Sequence, residues 1–109
     1  MLTYVNKRGK EVNLQATRHA YAKFVERSSI AFPNDNLLAN DVADKFERIF
    51  STTSKVKNLN RKEKTRLKRH GDDTMFFRTN VFTFVVQNAQ IVTVELSDKN
   101  TRHLNRIVA

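Results

Sequence analysis

The sequence predicts an α+β fold, with N-terminal helices packed on a small antiparallel sheet formed mainly by residues 74–97. Three observations predict it. Apolar residues recur at helical spacing in the first half of the chain, and the period changes to two after Thr74. Only two glycines and one proline punctuate the 109 residues. Helices grouped ahead of strands argue for segregated rather than alternating elements. At this length, and with 39% hydrophobic residues, a single domain over 1–109 with one modest core is expected.

The elements follow in order. Arg8 and Gly9 sit between the β-compatible segments 2–5 and 11–14, which predicts a short hairpin. Thr17 is placed to cap a helix over 18–30, where Ala20, Tyr21, Phe24 and Val25 make an apolar face. His19, Lys23 and Arg27, at i, i+4 and i+8, share a different, polar face. Pro33 and the polar residues after it break the chain. A second amphipathic helix is expected over 36–51, its stripe formed by Leu38, Val42, Phe46, Ile49 and Phe50. Residues 55–73 read as a basic loop or a third, surface helix, because Val56, Leu59 and Leu67 are too few for a buried face. From Thr74, Phe82, Phe84 and Val86 alternate with Val81, Thr83 and Val85, and Val92, Val94 and Leu96 alternate with Ile91, Thr93 and Glu95. That pattern predicts two paired strands joined at residues 87–90, with a third at Met75-Phe76-Phe77-Arg78. Both faces of these strands are apolar, as expected where helices cover a sheet. A basic tail over 98–109 closes the chain.

Charge is the most informative feature for function. Twenty Lys and Arg face eleven Asp and Glu, a formal net charge of +9. A field of this sign attracts polyanions and contributes nothing to choosing a fold. Nucleic acid is the leading partner, since each neutralised phosphate releases a counterion. The densest excess is Lys55, Lys57, Arg61, Lys62, Lys64, Arg66, Lys68 and Arg69, opposed only by Glu63, and Arg102 and His103 extend it in the tail. The absence of cysteine excludes disulfides and thiolate metal sites. Residues 1–8 lack an apolar signal core and no run approaches the roughly 18 apolar residues of a membrane span, so a cytoplasmic protein without membrane attachment is expected. Phosphate-loop, dinucleotide, zinc-protease and calcium-loop motifs are missing, and the three histidines lack metal-ligand spacing. No cofactor is expected.

RNA cleavage is one chemistry that needs only His, Arg, Lys and hydroxyl groups. The substrate's own 2′-hydroxyl is the nucleophile. A histidine moves protons near neutral pH, and positioned cations stabilise the charge that develops on phosphorus oxygens. His19, Lys23 and Arg27 fit these roles, with Arg78 as a phosphate anchor and Thr93 on a strand.

The stretch Arg18-His19-Ala20-Tyr21-Ala22-Lys23-Phe24-Val25-Glu26-Arg27 resembles the first helix of small RelE-like and colicin-D-like proteins of the barnase–EndoU–colicin–RelE ribonuclease superfamily. Members often carry a His in this helix and an Arg two turns on. The segment from Phe82 to Val94 is similar to their paired strands, which commonly end in an "ivTv" pattern. The resemblance implies a metal-independent endoribonuclease of RelE-like fold, often a toxin with a cognate antitoxin, here one of acidic character. His19, Arg27 and Thr93 are the matching positions; Lys23 and Arg78 come from charge and position alone. Two further readings stand beside it: a non-catalytic nucleic-acid-binding regulator or phage-type accessory protein, and an inhibitor of an acidic protein partner. In the binding reading, Phe76, Phe77 or Phe82 would stack on bases if exposed, although phenylalanines in so small a chain belong mostly in the core.

Overall fold

The computed structural model describes residues 2–34, 39–71 and 73–97. The predicted hairpin opens it: β1 (Thr3–Val5) pairs antiparallel with β2 (Glu11–Asn13). Gly9, at φ +78°, supplies the left-handed residue of the turn. The Asn6 carboxamide accepts from the backbone N–H groups of Arg8 and Lys10 at 2.9 and 3.0 Å.

Helix α1 (Arg18–Ala31) starts at Thr17, as expected, and that hydroxyl has two tasks. It accepts from Ala20 N at 3.1 Å, capping the helix, and donates to Val92 O at 3.3 Å, fastening the helix start to the sheet. Ala20, Phe24 and Ser28 are buried one turn apart. Val25, expected on the apolar face, is 39% exposed. It sits about 100° round the helix from Phe24, and Ser28 continues the buried stripe instead.

Helix α2 (Val42–Ser51) is shorter than the expected 36–51. A single 3₁₀ turn at Ala39–Asp41 leads into it, and residues 36–38 lie outside the described residues. Phe46 and Phe50 are buried and Val42 and Ile49 half-buried, so the remainder of the predicted stripe holds.

A five-stranded sheet forms the middle of the molecule. Its members are β3 (Gln15–Ala16), β4 (Ser54–Lys55), β5 (Met75–Arg78), β6 (Phe82–Gln87) and β7 (Gln90–Leu96), in the order β3-β7-β6-β5-β4. The three strands predicted within 74–97 are antiparallel neighbours. The sheet as a whole is mixed, however, because β3 runs parallel to β7, and two of its strands come from outside that segment. Strands of two residues have no alternation for sequence to display. Asn88 and Ala89, at φ +50° and +59°, form the β6–β7 turn, where two left-handed residues match the twist of the strands.

A β-bulge changes the phase of β7. Val85 pairs with Thr93 and Val86 with Ile91, which leaves Val92 as the extra residue. Ile91 therefore joins Val94 and Leu96 on one face, where strict alternation had put Val92. That face also carries Phe77, Phe82, Phe84 and Val86, and α1 and α2 pack on it. The contacts are aromatic: Phe24 meets Phe82 at 5.4 Å between ring centroids, Phe46 meets Phe84 at 5.3 Å, and Phe50 meets Phe77 and Phe84 at 5.3 Å each. Tilted and edge-on rings of this kind add roughly 0.5–1.5 kcal/mol per pair beyond their buried area. Phe76, Phe77 and Phe82 are each 5% exposed or less, so all three are core and none presents a ring to a base.

The opposite face carries Phe76, Arg78, Thr83, Val85, Thr93 and Glu95. Helix α3 (Arg61–His70) is bonded to this side. Two helices thus lie on one face of the sheet and the third on the other.

Candidate nucleic-acid interface

The basic segment becomes a helix through its own polar chemistry. Asn60 Oδ1 accepts from Glu63 N at 2.9 Å, and Glu63 Oε1 accepts from Asn60 N at 2.9 Å, a reciprocal capping box. Arg61, Lys62, Lys64, Lys68 and Arg69 follow at good helix-forming positions.

Docking to the sheet is ionic where an apolar stripe would ordinarily serve. Glu63 is buried, with 6% of its side chain exposed, and its Oε1 also takes a hydrogen bond from Arg78 Nη2 on β5. One turn on, Arg66 Nη2 donates to Glu95 Oε1 on β7. Leu67, half-buried, completes the inward face. The buried atoms Glu63 Oε2 and Arg78 Nε lack further partners among the described residues and belong to this same pair. Arg66 is therefore turned away from the basic surface in which the sequence had placed it.

The consequence for electrostatics is direct. The one acid of α3 faces inward with Arg66, and its five other lysines and arginines face outward. Arg61, Lys62, Lys64, Lys68 and Arg69 are exposed, as are Lys55 on β4 and Lys57 beyond it. Among the described residues none of these seven has an ion-pair partner. Arg61, Lys64 and Lys68 lie at i, i+3 and i+7, with Lys62 and Arg69 flanking them. Between α3 and the sheet lies a cavity of about 240 Å³. Its lining includes Lys62, Arg66 and Arg69 from the helix and Phe76, Thr83 and Glu95 from the strands.

The five residues nominated for RNA cleavage divide between the two sides of the sheet. His19 is exposed on α1. Lys23 and Arg27, 30% and 28% exposed, both engage the carboxylate of Glu26, at 3.2 and 3.0 Å. The Lys23 hydrogen bond, helped by the charges of Lys23 and Arg27, holds the Glu26 carboxyl below the usual carboxylate range. Arg78 and Thr93 are on the face bonded to α3, where Arg78 is occupied by Glu63 and Thr93 is buried. His19, Lys23 and Arg27 share one helix, and Arg78 and Thr93 share one sheet face, but the two sets do not meet. Arg102 and His103 lie outside the described residues.

Sequence reading missed Glu63 and Glu95. The spacing Asn60-x-x-Glu63 was a usable signal, being the pattern of a capping box. Nothing local marked Glu95, whose partner is 29 residues away. Among the described residues no cluster of three His, Cys, Asp or Glu side chains is arranged to hold a metal ion, and no helix is long and apolar enough to cross a membrane. Comparison with models of known protein families, with characterised proteins and with solved structures finds no match to the chain.

Proposed function

We propose that this chain binds nucleic acid by its phosphate backbone, using the outward face of α3. The observation that carries the reading is the row of five exposed cations on one helix face, none ion-paired among the described residues. From Arg61 to Arg69 the row spans about 12 Å at 1.5 Å rise per residue, or roughly three to four phosphate steps along one strand. Thr65 is the sole uncharged exposed side chain in that row. Such contacts position a backbone and carry little sequence information.

The test is affinity measured across a salt series, by fluorescence anisotropy with labelled RNA and DNA. Five phosphate contacts give a slope of log K against log salt of about −3.5 for a single strand and about −4.5 for B-form DNA. Replacing Arg61, Lys64 and Lys68 by Gln removes three contacts and flattens the slope by about 2–3. An unchanged slope and affinity in that variant would reject the reading.

Metal-independent RNA cleavage is the second reading, supported by exposed His19 on the same stripe as Lys23 and Arg27. RNA left intact by the purified protein in chelator, or cleaved equally well by His19→Ala, eliminates it.

A further inference from the structure

We propose that the cavity beneath α3 holds one unpaired nucleotide of the bound strand, so that the protein prefers single-stranded over duplex nucleic acid. The inference rests on the backbone-binding reading above and adds a second subsite to it. Three features of the cavity carry it.

The first is continuity of charge. Lys62, Arg66 and Arg69 stand at i, i+4 and i+7, a stripe along the edge of the cationic face, and all three line the cavity. Arg66 is held by Glu95. Lys62 and Arg69 have no ion-pair partner among the described residues. A strand lying on the outer face therefore meets two available cations at the cavity's mouth.

The second is size. A volume of about 240 Å³ far exceeds the ~10–15 Å³ that one water needs. It falls below the ~300–1,000 Å³ typical of pockets for drug-sized ligands. One base fits this range, whereas a stacked base pair does not.

The third is the lining. Phe76 is the buried floor and the Thr83 hydroxyl is held by Ser97 Oγ at 3.2 Å, so the wall that a guest meets is Glu95, 34% exposed, whose carboxylate bonds Arg66 through Oε1. A carboxylate acceptor in the wall of a cavity reached past cations suits a heterocycle that carries amino groups and is tethered to phosphate. A base in a duplex must first be unstacked and unpaired, at a cost of a few kcal/mol, and a base in a single strand largely avoids that cost.

Thr65 provides the test. It is exposed, lines the cavity, and its hydroxyl donates to Arg61 O of its own helix at 3.0 Å. Thr65→Trp fills the space without altering charge; Thr65→Ala leaves it open. Anisotropy at one fixed salt concentration is read with a short single-stranded oligonucleotide and with its duplex, and circular dichroism checks that each variant is folded. Wild type and Thr65→Ala are expected to bind the single strand about tenfold tighter than the duplex. Thr65→Trp is expected to lose that preference while its duplex affinity stays within about twofold. Equal affinities in the wild type, or a preference that survives in Thr65→Trp, overturns the cavity assignment and leaves the backbone grip standing. Failure of the wild type to bind either probe overturns both.

Discussion

Removing the carboxylate of Glu63 tests whether α3 is fastened by the ion pairs described above. In Glu63→Ala, Asn60 N loses its acceptor at 2.9 Å, half of the capping box. A lost hydrogen bond of this kind costs about 0.5–1 kcal/mol. Arg78 also loses its partner. Breaking a fully buried pair from one side costs roughly 3–5 kcal/mol. Glu63 meets that condition with 6% side-chain exposure, but the Arg78 side chain is 32% exposed and water will take part of its charge. Discounted for that exposure, the loss of the pair is about 2 kcal/mol. Together the losses come to about 2–3 kcal/mol, or roughly a 10 °C fall in melting temperature for a chain near this length. Urea unfolding followed by circular dichroism measures the total. Glu63→Gln keeps the cap acceptor and isolates the charge, so it should recover about 0.5–1 kcal/mol of the loss. Amide hydrogen exchange locates the effect, which should be concentrated in residues 61–70. A loss below about 0.5 kcal/mol, the range of an exposed surface pair, with unchanged exchange in α3, would refute the argument that this helix is held by buried polar contacts.

Three other perturbations follow from the fold. Ala89 sits at φ +59°, where a side chain is strained, so Ala89→Gly should stabilise the protein by about 0.5–1 kcal/mol in the same unfolding assay. Thr17→Val removes both the cap on Ala20 N and the bond to Val92 O, and should cost about 1–2 kcal/mol. The Glu26 carboxyl should titrate at lower pH than the usual carboxylate, and Lys23→Met should move its midpoint upward, as read by side-chain NMR. Because that pKa is depressed on folding, its contribution to stability is present above the ordinary carboxylate range and disappears as pH falls through the folded value. The stability gap between wild type and Glu26→Gln should therefore narrow on acidification.

Much of the fold could be read from residue order because the informative segments bury one side. The hairpin around Gly9, the Thr17 cap, the Phe46–Phe50 stripe and the three strands after Thr74 each carry a local periodicity or a turn residue. The parallel pairing of Gln15 and Ala16 with β7 is a tertiary contact of two residues and leaves no such trace. Val92 defeated the period-two reading because a bulge advances the strand by one residue. Helix α3 looked too polar to have an inward face, since apolar residues were counted and complementary charges were not: Glu63 and Arg66 face inward because Arg78 and Glu95 await them on the sheet. At the site, the identity of the basic residues was legible, but the side of the sheet each nominated residue occupied depended on register. That is why Thr93, although matched by residue type, lies away from His19.

The two-residue strands at the borders of the sheet bear on how the molecule behaves in a crowd. A long polyanion gathers basic proteins side by side at high local concentration, and long open strand borders under those conditions invite one sheet to zip onto the next. On one border β4 presents only Ser54–Lys55; on the other, β3 pairs with Gln90 and Ile91 alone of the seven residues of β7. β4 is too short to template another chain, and its lysine repels a like-charged neighbour. Under the proposed binding, copies that meet at the β4 border should remain separate particles, released individually when salt rises.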